Sequence, residues 1–397
     1  MKLPQFLKKH LGRNVNRFFS SKLLHALAVV TAVSGIVLWL NEAELEDRRE
    51  VLQVLFDHAE PIAIISAAVV FLLEIPDRQK REQYEAWQII NTAQGQTGSG
   101  GRIQALSDLN KQGVNLQGVA APGADLSGID LSFGKLSRAN LAGVKLCNAN
   151  LEGADLTEAN LEDANLNNAN LEGADLTRAT LRGAGMDATN LRYANLFQAK
   201  LERVYMTEET QLQGASLTAA IMKKAELSRT HLEGLKMDLG NLEDADLDFA
   251  NLEGAILNNA KLNRASFRHA NLSGVNLKYA ALNNADLLAA KLIKADLYRV
   301  SFEEACLVDV KMNEANLSSA SLRKADLSDA DLTGANLKST KLAGSILHCT
   351  CMKEALLEEK DVEDAILCQT ILPESFSLLP DRDCKEFRNT LLNPERD

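Results

Sequence analysis

Aromatic residues make up only 5% of this 397-residue chain, which also holds just 7 prolines and 6 cysteines. So few rings suit a narrow core filled by identical small layers rather than one packed around large side chains. Six cysteines scattered over this length do not form a disulfide framework, and a reducing compartment is the simpler inference. No GxSxG, GxxxxGK[ST], HExxH or GxGxxG ahead of a helix occurs, so the common nucleophile, phosphate, metalloprotease and dinucleotide signatures are missing. Cations are also short beyond residue 113. Residues 1–113 are nearly balanced, so the remainder carries essentially all of the net charge of −11. An acidic rod is a poor phosphate binder, which argues against direct nucleic-acid binding.

What is present is a period of five. Leu151, Leu156, Leu161, Leu166, Leu171 and Leu176 recur at that interval, with alanine two places before each leucine from Leu156 on and Asn or Asp between the two. Five residues turn an α-helix by about 500°, which smears the leucines around its cylinder. In a flat strand, odd spacing throws them onto alternate faces. Leucine and alanine can both point inward only if the backbone changes direction at every repeat, which makes a solenoid of short extended segments and turns.

The segments ADLTEANLED and ANLEGADLTR resemble the pentapeptide-repeat family, whose pattern is A(N/D)LXX. The resemblance implies an all-β solenoid, a right-handed quadrilateral β-helix with four pentapeptides per coil. The leucines would then build about 13 coils over residues 114–372, about 60 Å long at an inter-strand spacing of about 4.8 Å. Four per coil predicts stacking at a spacing of 20 residues. Asn150, Asn170 and Asn190 form such a series, Glu162, Arg182 and Glu202 alternate in sign, and Glu158 with Arg178 and Asp248 with Arg268 are further pairs. Glu233 and Glu253 stack like on like. Between Met206 and Leu212 the phase slips by one, so an extra residue around Thr207–Thr210 is expected to bulge at a corner.

Around the repeats the chain divides further. Residues 1–22 are basic. Residues 23–75 hold two apolar runs, Leu23–Leu40 and Pro61–Leu73, expected to be transmembrane helices forming an N-terminal α-helical anchor. Residues 76–101 are read as an amphipathic juxtamembrane helix, with Tyr84, Trp87, Ile89 and Ile90 on its apolar side, followed by a flexible linker. Residues 102–113 are read as a capping helix and 373–397 as a C-terminal cap and tail. The Lys/Arg bias predicts a multi-pass protein of an inner (plasma) or thylakoid membrane, with the repeats on the cytoplasmic side.

One constellation could carry chemistry. His348, Cys349, Cys351 and Cys368 fall where outward side chains could meet a Zn(II)-like ion. The bland alternative, exposed thiols on a last coil with no metal bound, is favoured, and Cys147, Cys306 and Cys384 have no assignable partner. No cofactor is expected. A Leu/Ala-filled interior offers no pocket, so the chain is read as non-enzymatic. The expected role is a membrane-anchored scaffold or regulator acting on a protein partner of unknown identity at the membrane. The chain resembles membrane-anchored cyanobacterial members of the family. That resemblance implies regulation of a transport system, with manganese as the cargo, or a part in envelope glycolipid deposition. The alternative it also implies is DNA mimicry, occupying the DNA site of gyrase.

Overall fold

One pentapeptide makes one short wall and one corner of the computed structural model, which describes residues 78–93 and 95–385. The hydrogen bonds of Ala149–Gly153 show why the motif has its composition. The Ala149 N–H closes a turn on the Leu146 carbonyl (3.0 Å), and the Asn150 N–H reaches back one coil to Ile129 (2.8 Å). The N–H groups of Leu151 and Gly153 reach forward one coil, to Asn170 (2.7 Å) and Glu172 (2.8 Å). The fifth amide, Glu152, is taken by the Asn150 side-chain Oδ1 at 3.3 Å. Every backbone donor of this pentapeptide is thereby satisfied, the last by the Asn or Asp before the leucine; where Gly185 or Ala281 stands there, Asn167 or Asn263 one coil back accepts that amide instead.

The third residue of the regular corners sits at positive φ, whether glycine (Gly153, 59°) or not (Phe133, 54°; Arg264, 59°), and the corners at Thr207–Thr210 and Val362–Ala365 depart from this. Positive φ at that residue alone defines a type II turn. The inward pair is buried from Leu116 to Ala355, and where the leucine is replaced by Phe267 or Phe302 the ring is also fully buried. Three threonines in the alanine position donate to the leucine carbonyl of the preceding coil, Thr189 to Leu166 (2.9 Å), Thr340 to Leu317 (2.9 Å) and Thr350 to Leu327 (2.8 Å), whereas Thr230 donates to Leu227 of its own corner (2.6 Å). Thr350 and Thr370, which replace the small inward residue near the end of the repeats, are therefore extra rungs between coils. The repeat departs instead at Glu359–Val362, a 3-10 turn.

Residues just before the leucines pair in parallel with those 20 further on, as in Asp155 with Asp175 and Asn251 with Asn271. Four pairs are 21 apart: Asn190–Gln211, Asn195–Ser216, Lys200–Ile221 and Tyr205–Glu226. These span the phase slip once on each wall, so a single residue is absorbed and all four walls resume register. At that corner the Thr210 N–H closes the turn on the Thr207 carbonyl (3.0 Å) and Thr210 Oγ1 donates to Met186 O (2.9 Å). Thr210 Oγ1 also accepts the Thr207 N–H at 3.2 Å.

The described residues from Glu82 onward form one compact unit. Residues 78–92 are helical (α1), Ala86 and Ile90 are buried in the core with Trp87 half-buried against it, and Ala93 just past the helix is also buried. Tyr84 and Ile89, expected on the apolar side, are instead exposed. Helix α2, Arg102–Lys111, buries Leu106 and Leu109 in the core. It ends in paired bonds, Gly113 N–H to Asn110 O (2.8 Å) and Val114 N–H to Leu109 O (3.0 Å), with Gly113 at φ 68°. Asn110 also donates to Ser132 O (2.9 Å), and a Cβ on Gly134 would stand 2.9 Å from its Oδ1, so glycine replaces alanine under the cap.

The segment between α1 and α2, read as a flexible linker, is gathered around Arg102. That guanidinium is fully buried and donates to the carbonyls of Ala93 (3.1 Å), Gln96 (2.7 Å), Gly98 and Ser99 (3.1 Å). Composition gave no hint of this, because the order comes from one arginine beyond the glycines.

The two expected spans at 23–75 lie outside the described residues. Among the described residues no helix is long and apolar enough to cross a membrane. The expected placement in an inner or thylakoid membrane is corrected on that finding: the helices present, α1 and α2, are short and pack on the core of the repeats.

Candidate functional site

Because register repeats every 20 residues, each wall carries its own fixed set of outward side chains, and two walls contrast sharply. On the first, cations and carboxylates alternate up the stack. Arg182 lies 3.5 Å from Glu162 and 3.4 Å from Glu202. Lys223 pairs with Glu243 at 2.6 Å and Arg264 with Asp244 at 2.6 Å, in each case 20 residues apart. Glu243 is held below the usual carboxylate range by its hydrogen bond from Lys223, and Asp244 by that from Arg264, whose own pKa is raised in return.

The next wall is acidic. Asp187, Glu226, Asp246, Asp248, Asp286, Asp309, Asp326 and Asp329 point outward from it, with Arg229 and Arg268 as the only basic residues among them. Between Asp187 and Asp329 it carries roughly one net negative charge per coil rise of about 4.8 Å. Arg268 is already committed: its guanidinium bonds Asp286 at 2.6 Å and its backbone N–H bonds Asp248 at 2.9 Å. The expected Asp248–Arg268 ion pair is thus a backbone contact, and the ion pair is made with Asp286. Arg229 lies over the ring of Phe249 (5.6 Å), which stacks on His269 at 4.9 Å. The acidic wall therefore has a half-exposed cation–aromatic column at its middle.

A third wall carries the asparagine ladder. Asn170 donates to Asn150 (3.2 Å) and Asn190 to Asn170 (2.9 Å). Glu233 and Glu253 do stand one above the other, and the clash is relieved by Asn251 and Asn271, whose amides donate to them at 2.5 and 3.2 Å. Of the other expected pairs, Glu158 bonds Arg138 (2.8 Å) and Arg178 bonds Gln198 (3.0 Å) rather than each other.

The candidate metal quartet is divided. His348 is in parallel register with Cys368 between strands β1 (Ile346–His348) and β2 (Ile366–Cys368). Cys349 Sγ lies 3.5 Å from His348 Nε2 and 3.2 Å from Gln369 Oε1, whereas Cys351 Sγ lies 3.4 Å from Thr333 Oγ1. Cys368 is disulfide-bonded to Cys384, so the reading of unassigned cysteines is corrected for that pair. Cys384 comes from a strap at Pro380–Cys384 that lies outside the repeat pattern, which is why spacing could not find it. The strap pairs with the last coil: Asp381 accepts the Gln369 N–H (2.8 Å), Asp383 accepts the Leu367 N–H (3.0 Å), and the Asp383 N–H returns to Leu367 O (2.9 Å).

The family model described as pentapeptide repeats matches residues 112–146, 135–173, 169–207, 241–278, 270–309 and 311–348, just over half of the chain. Among solved structures the chain is similar to HetL, a pentapeptide repeat protein involved in heterocyst differentiation regulation from the cyanobacterium Nostoc sp. Identity is 32%, over 59% of this chain and 89% of that one, with a TM-score of 0.23. It is also similar to full-length QnrB1, a plasmid-mediated fluoroquinolone resistance protein, at 14% identity over 52% and 96% with a TM-score of 0.24. A third is a pentapeptide repeat protein of the Arabidopsis thaliana thylakoid lumen, at 23% identity over 33% and 87% with a TM-score of 0.27. No curated protein matches the chain.

Proposed function

The chain belongs to the pentapeptide-repeat family, and on that premise we propose that it is a non-enzymatic protein-interaction scaffold whose acidic wall docks a protein partner with a basic surface. The observation that carries this reading is the segregation of charge. On the paired wall cations answer carboxylates within the chain, whereas on the acidic wall Asp286 pairs with Arg268 and Asp309 with Lys311, and the other six carboxylates named there make no ion pair among the described residues. Such a field raises the encounter rate and fixes the approach of a complementary partner. The half-exposed Phe249 beside Arg229 supplies the kind of aromatic and arginine anchor that dominates interface energetics. A catalytic role draws no support from the interior, where each layer is filled by leucine and alanine. Regulation of manganese transport draws no support from any wall.

DNA mimicry, as an occupant of the DNA site of gyrase, would use the same wall. Duplex DNA carries one charge per about 1.7 Å, against roughly one net charge per 4.8 Å here. That mismatch of nearly threefold favours a general basic partner over a DNA-binding cleft. A photo-crosslinking residue at Leu288 on the acidic wall, compared with one at Ala343 on the paired wall, tests the proposal in the source cells. A discrete protein adduct from Leu288 and none from Ala343 is expected, and equal adducts from both would refute it. Inhibition of gyrase supercoiling by the purified chain would replace the scaffold with the mimic.

A further inference from the structure

Among the described residues one group of metal-ligating side chains converges: Cys368 Sγ, a carboxylate oxygen of Asp381 and Cys384 Sγ all lie within 4.8 Å of one another. The strap brings them together across the edge of the last coil. The backbone N–H of Gln369 holds Asp381 in place through Oδ1, and that oxygen, which lies 3.6 Å from Cys384 Sγ, keeps a further lone pair for a metal. Cys368 is buried, whereas Asp381 is exposed and Cys384 half-exposed, so small solutes reach the group from one side. The four remaining described cysteines, Cys147, Cys306, Cys349 and Cys351, are free thiols of intermediate exposure. A dithiol can reach the Cys368–Cys384 bond from the open side by thiol–disulfide exchange.

We propose that reduction of the Cys368–Cys384 bond converts this clasp into a Zn(II)-type metal site formed by the two thiolates and Asp381, so that either a disulfide or a metal holds the strap on the last coil. A dithiol reductant breaks the sulfur–sulfur bond. It delivers two electrons and two protons to Cys368 and Cys384 and departs as its own disulfide. Metal uptake then forms two metal–sulfur bonds and one metal–oxygen bond and releases the two thiol protons. Two soft thiolates with one carboxylate suit zinc over magnesium or calcium, and three protein donors leave the fourth tetrahedral place to water. His348 is not counted among the donors, because its ring is turned toward Cys349. The site bears on the fold directly, since the strap satisfies the edge amides of Leu367 and Gln369, which otherwise face an open coil.

The test uses the full chain, reduced with an immobilised dithiol that is removed before titration with Co(II), and reads the sulfur-to-cobalt charge-transfer band. Reduced protein should bind one cobalt per chain with that band, and the oxidised protein should show none. C384S should lose the band, with circular dichroism confirming that the coils persist. D381N, which keeps both sulfurs, should weaken binding about tenfold or more. The double variant C349S/C351S should bind like the parent. A reduced parent without the band, a band that survives in C384S or disappears in C349S/C351S, or unchanged affinity in D381N would each overturn the site.

Discussion

The paired wall and the acidic wall share one backbone and comparable numbers of carboxylates, and they differ in what stands one coil away. Above Glu162 is Arg182, and above Asp244 is Arg264. Above Glu226 is Asp246, and above Asp286 come Cys306 and then Asp326. The scaffold is indifferent to this choice, because the outward side chains contribute only one conserved backbone service, the Asn or Asp that receives the corner amide. A repeat fold of this kind can therefore vary its surface wall by wall while its core stays constant.

The largest expected effect tests that indifference. Phe267 lies behind the acidic wall and Phe302 behind the paired wall, both fully buried. Truncation of either to alanine should cost about 3–5 kcal/mol, and chemical denaturation should find the two nearly equal. A difference larger than the cavity term allows would show that the walls are not interchangeable. Next in size, the triple reversal E226K/D246K/D326K should weaken the Leu288 crosslink about thirtyfold, roughly 2 kcal/mol. The matching reversal E162K/E202K/E243K on the paired wall should leave it within about twofold. Equal losses from both would dissolve the contrast.

The corner at the phase slip offers a smaller test. Thr210 Oγ1 both donates to Met186 O and accepts the Thr207 N–H, whereas Thr350 Oγ1, at a regular corner, makes its main bond to Leu327 O. Thr350→Val should cost about 1 kcal/mol. Thr210→Val should cost about 2 kcal/mol, because it also leaves the half-buried Thr207 amide without its acceptor. Thermal melts of the two variants decide it, and equal shifts would mean that the inserted residue imposes no special demand.

Much of this was legible in the sequence. The five-residue period forced the corners, the four-per-coil stacking placed the Asn150 ladder and the Glu162–Arg182–Glu202 column, and the change of phase located the inserted residue to within a turn. The segregation of charge onto one wall was equally present but is visible only once residues are sorted by 20, since the total of −11 hides it. What could not be read depends on contacts made outside the repeat. Arg102 orders a glycine-rich segment through four carbonyls, Tyr84 and Ile89 turn away from the core although their spacing suited it, and the Cys384 strap folds back onto Cys368. The weak metal candidate is divided for the same reason: spacing set Cys351 near His348 in number, while the corner between them sends Cys351 to Thr333 and the strap takes Cys368.

The smallest expected effect concerns acid. Glu243 and Asp244 on the paired wall are held below the ordinary carboxylate range by their hydrogen bonds from Lys223 and Arg264. The folded chain therefore gives up these protons more readily than the unfolded chain does. Their contribution to stability is complete above the unfolded carboxylate values of about 4 and is lost as pH falls through the lower folded values. Both pairs are at the surface, so the difference in melting temperature should be only about one degree, and added salt should shrink it. The double variant K223Q/R264Q should melt slightly lower at neutral pH and converge with the parent in acid. On the acidic wall the reverse holds for salt, which screens like charges and favours the fold there. If K223Q/R264Q differed from the parent equally at neutral and acid pH, the pairs would contribute by packing alone, and the contrast between the walls would be one of potential without any part in stability.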